Sequence, residues 1–372
     1  MLIGVPREIK SQEYRVGLTP ASVRELTGHG HQVLVERDAG AGINTADSVY
    51  AAAGASIAGD AEEVFARAQM IVKVKEPQAA ERRRLRPGQI LFTYLHLAPD
   101  PQQTEDLVNS GAICIAYETV TASGGGLPLL APMSEVAGRL SVQAGAHSLE
   151  KTQGGMGILL GGVTGVAPAK IVILGAGVVG SNAAQIAAGS GAQVAVLDRN
   201  IDALRRIEAR LGARVTTVFA NRDNIERHVL AADLVIGAVL IPGAAAPKLV
   251  SRQLVSAMKA GAAVVDVAID QGGCFETSHP TTHAAPIYVA DGVVHYCVAN
   301  MPGGVPRTST YALNNATLPY VLMLADQGYR QALQDHVHLR AGLNVYAGKI
   351  TCREVADALH YPYHDALQLL TA

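Results

Sequence analysis

The chain has 372 residues, of which 49% are hydrophobic and 17% charged, and its net charge is −2. This length allows two domains of ordinary size with a large core, and the near-neutral charge argues against a nucleic-acid partner. No apolar run reaches membrane-spanning length and residues 1–10 lack a basic-then-apolar leader pattern, so a cytoplasmic protein without membrane attachment is expected. The cysteines Cys114, Cys274, Cys297 and Cys352 form no pair at metal-ligand or redox spacing, which suits a reducing compartment and gives no reason to expect a metal.

In chain order, apolar runs predict strands at 2–5, 32–35, 70–74, 90–95 and 113–117, alternating with helix-like segments. Thr19-Pro20 reads as a helix start, Thr as the cap and Pro at the first helical position. Arg82-Arg83-Arg84 reads as a solvated helix face. A long, small-residue helix is predicted over 134–152, with Ser134 as its cap. A second alternating unit follows, with strands at 171–174, 194–197, 234–238, 263–268 and 295–298. A further long helix is expected over 309–327. Beyond it no strong strand signal remains, so 329–372 is expected to pack back as helices. The alternation predicts an α/β protein of two doubly wound domains. The first, discontinuous, would comprise 1–133 and 302–372. The second, a Rossmann domain over 134–301, would be inserted into it, with a cleft between the two.

The most specific local signal opens that second domain. The apolar run Ile171-Val172-Ile173-Leu174 meets Gly175-Ala176-Gly177-Val178-Val179-Gly180, a small-residue helix follows, and Val194-Ala195-Val196-Leu197 delivers Asp198. This is a complete βαβ dinucleotide fingerprint. Gly175 permits the tight turn, Gly177 lets backbone amides approach a pyrophosphate, and Gly180 lets helix and sheet pack closely. The helix amino end would receive the phosphates. Asp198 would bond the adenosine ribose and repel a 2′-phosphate, so NAD is expected rather than NADP, although the neighbouring Arg199 is of a type that accommodates the extra phosphate.

Ligands in open α/β sheets bind beyond the carboxyl ends of strands. That rule selects Lys75, His96 and Asp270 at strand ends and Arg15 in the loop after the first strand. Each has a bland reading: a solvated Lys or Arg, a core histidine between Leu95 and Leu97, an Asp capping the turn before Gly272-Gly273. Together they make a set able to bind and protonate a small substrate.

At these residues the chain resembles alanine dehydrogenase, over its whole length. The resemblance rests on Pro6-Arg7-Glu8 with Arg15, Val72-Lys73-Val74-Lys75-Glu76-Pro77, Leu91-Phe92-Thr93-Tyr94-Leu95-His96-Leu97 and Leu130-Ala131-Pro132-Met133-Ser134-Glu135-Val136-Ala137-Gly138-Arg139. It continues through the glycine turn, Asp266-Val267-Ala268-Ile269-Asp270-Gln271-Gly272-Gly273 and Cys297-Val298-Ala299-Asn300-Met301-Pro302. The resemblance implies NAD-linked interconversion of L-alanine with pyruvate and ammonium. Arg15 and Lys75 would bind the substrate, and His96 and Asp270 would be the acid/base pair. Ser134, Asp198, Val239, Leu240, Val267, Ala268, Ile269, Asp270, Val298, Ala299, Asn300 and Met301 would line the cofactor beside the glycine turn. Family members often carry Lys where this chain has Ala203 and Ser where it has Ala220, so fewer polar contacts are expected on the adenosine side. The resemblance also implies a homohexamer. Rival readings are a transhydrogenase alpha-like nucleotide-binding subunit, a saccharopine dehydrogenase and a NAD-binding scaffold without turnover.

Overall fold

The computed structural model describes residues 1–239 and 246–371. Its contacts separate into two units, Met1–Met133 joined by the chain from Val305 onward, and Ser134–Gly304.

In the first unit eight strands form one sheet. Their order is Lys349–Ile350, Leu343–Tyr346, Ile113–Ala116, Ile90–Thr93, Met70–Val72, Leu2–Val5, Gln32–Glu36 and Ser56–Ala58. The six strands from the first part of the chain run parallel. Parallel strands covered on both faces need near-continuous apolar runs, and Ile90–Thr93 is buried at every position. The sheet grows outward in both directions from Leu2–Val5, so its winding reverses between that strand and Met70–Val72. Thr19 caps the helix Pro20–Gly28 with Pro at its start, as the sequence predicts.

Residues 329–372 are not wholly helical, and that expectation is corrected. Leu343–Tyr346 and Lys349–Ile350 form a hairpin whose first strand pairs antiparallel with Ile113–Ala116. The tight turn takes positive φ at Ala347 and Gly348, as two-residue hairpins require. Buried Asn344 interrupts the apolar pattern and hides the strand, but its amide donates to Thr119 Oγ1 (2.8 Å) and to the Gly342 carbonyl. The long helix Pro306–Gln327 also belongs to this unit. Its buried Asn314 accepts from the Thr19 backbone N–H at 2.8 Å and donates to the Gly17 carbonyl at 3.1 Å.

The second unit holds a seven-stranded sheet in the order Ile287–Ala290, Val293–Tyr296, Ala263–Asp266, Leu234–Gly237, Lys170–Leu174, Gln193–Asp198 and Val215–Phe219. All pairs are parallel except the edge pair Ile287–Ala290 with Val293–Tyr296. This is the doubly wound arrangement, with the reversal between Lys170–Leu174 and Leu234–Gly237. Apolar clusters fill both faces of this sheet.

The helix predicted from Ser134 begins earlier, at Ala131, and runs to Ser148. Pro132 suits a first turn because it has no N–H to satisfy there, and Ser134 therefore lies inside the helix instead of capping it. Small residues let this helix pack closely. A Cβ on Gly138 would stand 2.2 Å from the Val179 carbonyl oxygen, and one on Gly145 2.5 Å from the Leu234 side chain.

Candidate active site

Three of the singled-out side chains lie in the first unit, beyond the carboxyl ends of three adjacent parallel strands. Arg15 follows Leu2–Val5, Lys75 follows Met70–Val72 and His96 follows Ile90–Thr93. The first two flank the winding reversal. The loop bearing Arg15 hugs the sheet: a Cβ on Gly17 would meet the Val72 carbonyl oxygen at 2.3 Å. Glycine is required there by close approach.

Arg15 is 2% exposed. Glu13 holds its guanidinium bidentately, Nε to Oε1 at 2.7 Å and Nη2 to Oε2 at 2.6 Å, and Nη1 approaches Met133 Sδ at 3.0 Å. Burial disfavours the charge, but Glu13 more than offsets that and keeps Arg15 cationic. Lys75 is half-buried, and its carbonyl accepts from Thr93 Oγ1 at 2.9 Å. The adjacent Glu76 carboxyl is pushed up by burial, yet Lys75 and the ion-paired Lys10 outweigh this and hold it below the usual carboxylate range.

Lys73, two residues earlier, is fully buried. Its ammonium pairs with Glu8 at 3.0 Å and Glu81 at 2.7 Å. Glu8 also accepts the Val74 backbone N–H at 2.7 Å. Burial raises the Glu8 carboxyl above its ordinary value against the pull of Lys73. The triad thus anchors the segment that carries Lys75.

His96 is not a core histidine, because its side chain is 43% exposed. It sits at φ +50°, a left-handed conformation uncommon outside glycine. Its imidazole lies parallel to the Tyr94 ring, 9° between planes and 5.8 Å between centroids. Tyr94 is itself fixed, donating from its hydroxyl to the Leu129 carbonyl and meeting Tyr117 edge-on.

The second unit carries the nucleotide turn. Gly175 has φ +110°, and a Cβ there would stand 2.6 Å from the Ala238 carbonyl oxygen; one on Gly180 would reach 1.8 Å from the Gly175 carbonyl oxygen. The protein's own packing explains both glycines. Gly177 differs, since a Cβ there would meet no protein atom within 4 Å. Its small size suits close approach of something from outside the chain, as a pyrophosphate on this turn requires. No side chain caps the helix Val178–Gly189, whose first turn holds Val178, Val179 and Gly180. Asp198 ends the next strand, with Oδ2 accepting from Ala176 N at 2.6 Å and Oδ1 from Asn200 N at 2.7 Å. Each oxygen retains acceptor capacity for a ribose hydroxyl. These features fit NAD. Ala203 and Ala220 are buried methyl groups that bring no polar atom to this side.

Val239 is half-buried beside the winding reversal, and Leu240 lies outside the described residues. The strand Ala263–Asp266 stops short of the predicted 268, and Val267–Gln271 turn as a short 3-10 helix. Ala268 and Ile269 are buried, whereas Asp270 is exposed. Buried Asp266 braces this loop by accepting from Cys274 N at 2.8 Å, Phe275 N at 3.3 Å and Ser278 Oγ at 2.6 Å. Lys248 adds bonds to the Gly272 and Phe275 carbonyls. Burial pushes the Asp266 carboxyl up against these donors. Val298 and Met301 are buried, Ala299 is bonded to the Thr281 carbonyl, and Asn300 has φ +58°. Ser134 is half-buried in its helix.

The first unit therefore assembles Arg15, Lys75 and His96, and the second carries Asp270 with the nucleotide residues. Glu13, Asp266 and the Lys73 triad were missed as contributors. Only Glu8, Lys73 and Asp266 fell within motif strings. No spacing rule marks a carboxylate that braces a loop.

Two doubly wound units, one with a dinucleotide turn and one with strand-end cations, define a nucleotide-linked α/β protein of the dehydrogenase type. Residues 4–137 match the alanine dehydrogenase/PNT N-terminal domain and residues 141–353 the corresponding C-terminal domain. The chain belongs to the alanine dehydrogenase/PNT family. It is 60% identical to an alanine dehydrogenase of Halomonas elongata, over 370 residues that cover both chains completely. It is 54% identical, again with complete coverage of both, to an alanine dehydrogenase of Mycobacterium tuberculosis. Among solved structures, an L-alanine dehydrogenase superposes with a TM-score of 0.94 at 53% identity, covering 97% of this chain and 99% of the other. A transhydrogenase from Sinorhizobium meliloti gives 0.80 at 25% identity, covering 95% and 99%.

Proposed function

We propose that this protein catalyses NAD-dependent oxidative deamination of L-alanine to pyruvate and ammonium, and the reverse amination. The full-length relationship to alanine dehydrogenases at up to 60% identity carries this reading. It outweighs the transhydrogenase alternative, supported at 25%. The strand-end cations and the exposed histidine agree with the chemistry.

The glycine turn with Val178 and Val179 would hold the pyrophosphate and Asp198 the ribose. Ser134, Val239, Val267 to Asp270 and Val298 to Met301 would line the rest. Bound NAD supplies a hydride acceptor for the substrate Cα. Arg15 holds the carboxylate, its fork oriented by Glu13. Lys75 places a compact charge at the carbonyl oxygen. Loss of hydride leaves an iminium; water adds to give a carbinolamine, which collapses to pyruvate and ammonium. His96 and Asp270 move the protons that these steps require at oxygen and nitrogen. We further place the protein in the cytoplasm as a homo-oligomer, a hexamer by kinship, with small molecules as its partners.

The test is the absorbance of NADH. L-alanine with NAD should produce NADH, and pyruvate with ammonium should consume it. No turnover in either direction by the folded protein would overturn the reading.

A further inference from the structure

Glu118 lies in the 3-10 turn Tyr117–Thr119. That turn follows the strand Ile113–Ala116, which pairs with the strand leading to His96. Its carboxylate is largely buried, 14% exposed, and engages the His96 loop from the N–H side. Oε1 accepts from His96 N at 2.6 Å and from Leu95 N at 3.1 Å, and Oε2 from Leu95 N at 3.2 Å. The same Oε1 stands 3.9 Å from the His96 Nδ1. From the carbonyl side, Gln103 Nε2 donates to Leu95 O at 2.5 Å and Thr104 Oγ1 to Leu97 O at 3.0 Å. A histidine at φ +50° persists only where its surroundings over-determine the backbone. Glu118 does this here, and its charge also faces one imidazole nitrogen.

We propose that Glu118 is a positioning residue for His96, holding the left-handed backbone and turning Nδ1 toward the carboxylate so that Nε2 serves the substrate. This rests on the reading of His96 as an acid/base group. At 3.9 Å the carboxylate is beyond hydrogen-bond reach of Nδ1, so it acts by fixing the backbone that aims the imidazole and by its charge beside the ring. Misaiming a proton-transfer group costs orders of magnitude.

The test uses the full-length enzyme with Glu118→Ala, Glu118→Gln, His96→Ala and the double variant Glu118→Ala/His96→Ala. Turnover in pyruvate amination, KM for pyruvate, NADH affinity by fluorescence and melting temperature are measured on each. Glu118→Ala should lower kcat by roughly 10- to 100-fold, while KM and NADH affinity stay within about twofold. In the His96→Ala background the same substitution should cost nothing further, because its effect passes through His96. Glu118→Gln keeps the size and one acceptor oxygen, so it serves where the alanine variant fails to fold; its kcat should fall at least about threefold. Unchanged kcat in a folded Glu118 variant overturns the proposal, as does an equal loss with and without His96. Wild-type turnover in His96→Ala would instead remove the acid/base reading, and the proposal with it.

Discussion

Asp198 is pinned by two backbone N–H groups at 2.6 and 2.7 Å, so its carboxylate stays beside the glycine turn. Replacing it by Ser should remove the repulsion of a 2′-phosphate and narrow the preference for NADH over NADPH. The ratio of kcat/KM for the two nucleotides measures this, and an unmodified enzyme that used NADPH equally well would refute the role of Asp198. Arg15 and Lys75 separate differently. Arg15→Lys keeps the charge but loses the fork that Glu13 orients, so KM for pyruvate should rise by about tenfold with a smaller change in kcat. Lys75→Gln removes a charge expected to meet developing negative charge on oxygen, so kcat should fall by roughly 10². Equal, mild effects would show that neither touches the substrate. At this scale motif and strand-end position mark the candidate residues in the sequence. Their braces, Glu13 and Glu118, stay hidden because contacts formed by folding leave no periodic trace.

The segment after Met70–Val72 holds two kinds of charge. Lys73 balances Glu8 and Glu81 without solvent. Lys73→Met should therefore leave two buried carboxylates unpaired and cost roughly 3–5 kcal/mol, read by urea unfolding. A cost near zero would mean that the triad is neutralised by protonation. Glu76, largely buried and ion-paired with Lys10, behaves otherwise. Its folded pKa is depressed, so its contribution is present above the unfolded value near 4.5 and lost as pH falls through the folded one. Glu76→Gln should lower stability at pH 7 by about 1 kcal/mol or less, read by urea unfolding, and the difference should shrink as pH falls through the folded pKa. A difference that persisted in acid would contradict this assignment. Strands were legible as apolar runs, but Met70–Val72 and Ile90–Thr93 were read two residues too long, because the apolar, buried Val74 and Tyr94 continue past the ladders. The edge strands Ser56–Ala58, Val215–Phe219 and Ile287–Ala290 were not read at all. Ser56–Ala58 and Val215–Phe219 carry polar residues, as edges that face solvent on one side can, whereas Ile287–Ala290 is apolar but only partly buried.

For the whole molecule, alternation along the chain discloses two doubly wound sheets, and both exist. The closing hairpin is the larger surprise, because it adds to a strand about 230 residues earlier in the chain. That pairing has a consequence for the order of assembly. A ribosome delivers residues from the amino end, and domains generally fold as units while synthesis proceeds. The nucleotide unit is one uninterrupted stretch, Ser134–Gly304, so it is complete once Gly304 emerges. The other unit at that moment still lacks the helix whose Asn314 clamps Thr19, and the strand that covers Ile113–Ala116. Translation arrested near residue 340 would leave a finished nucleotide fold tethered to a half-built partner with an open sheet edge. Such an edge invites wrong pairing, so the last thirty residues act as the latch that closes the window for aggregation.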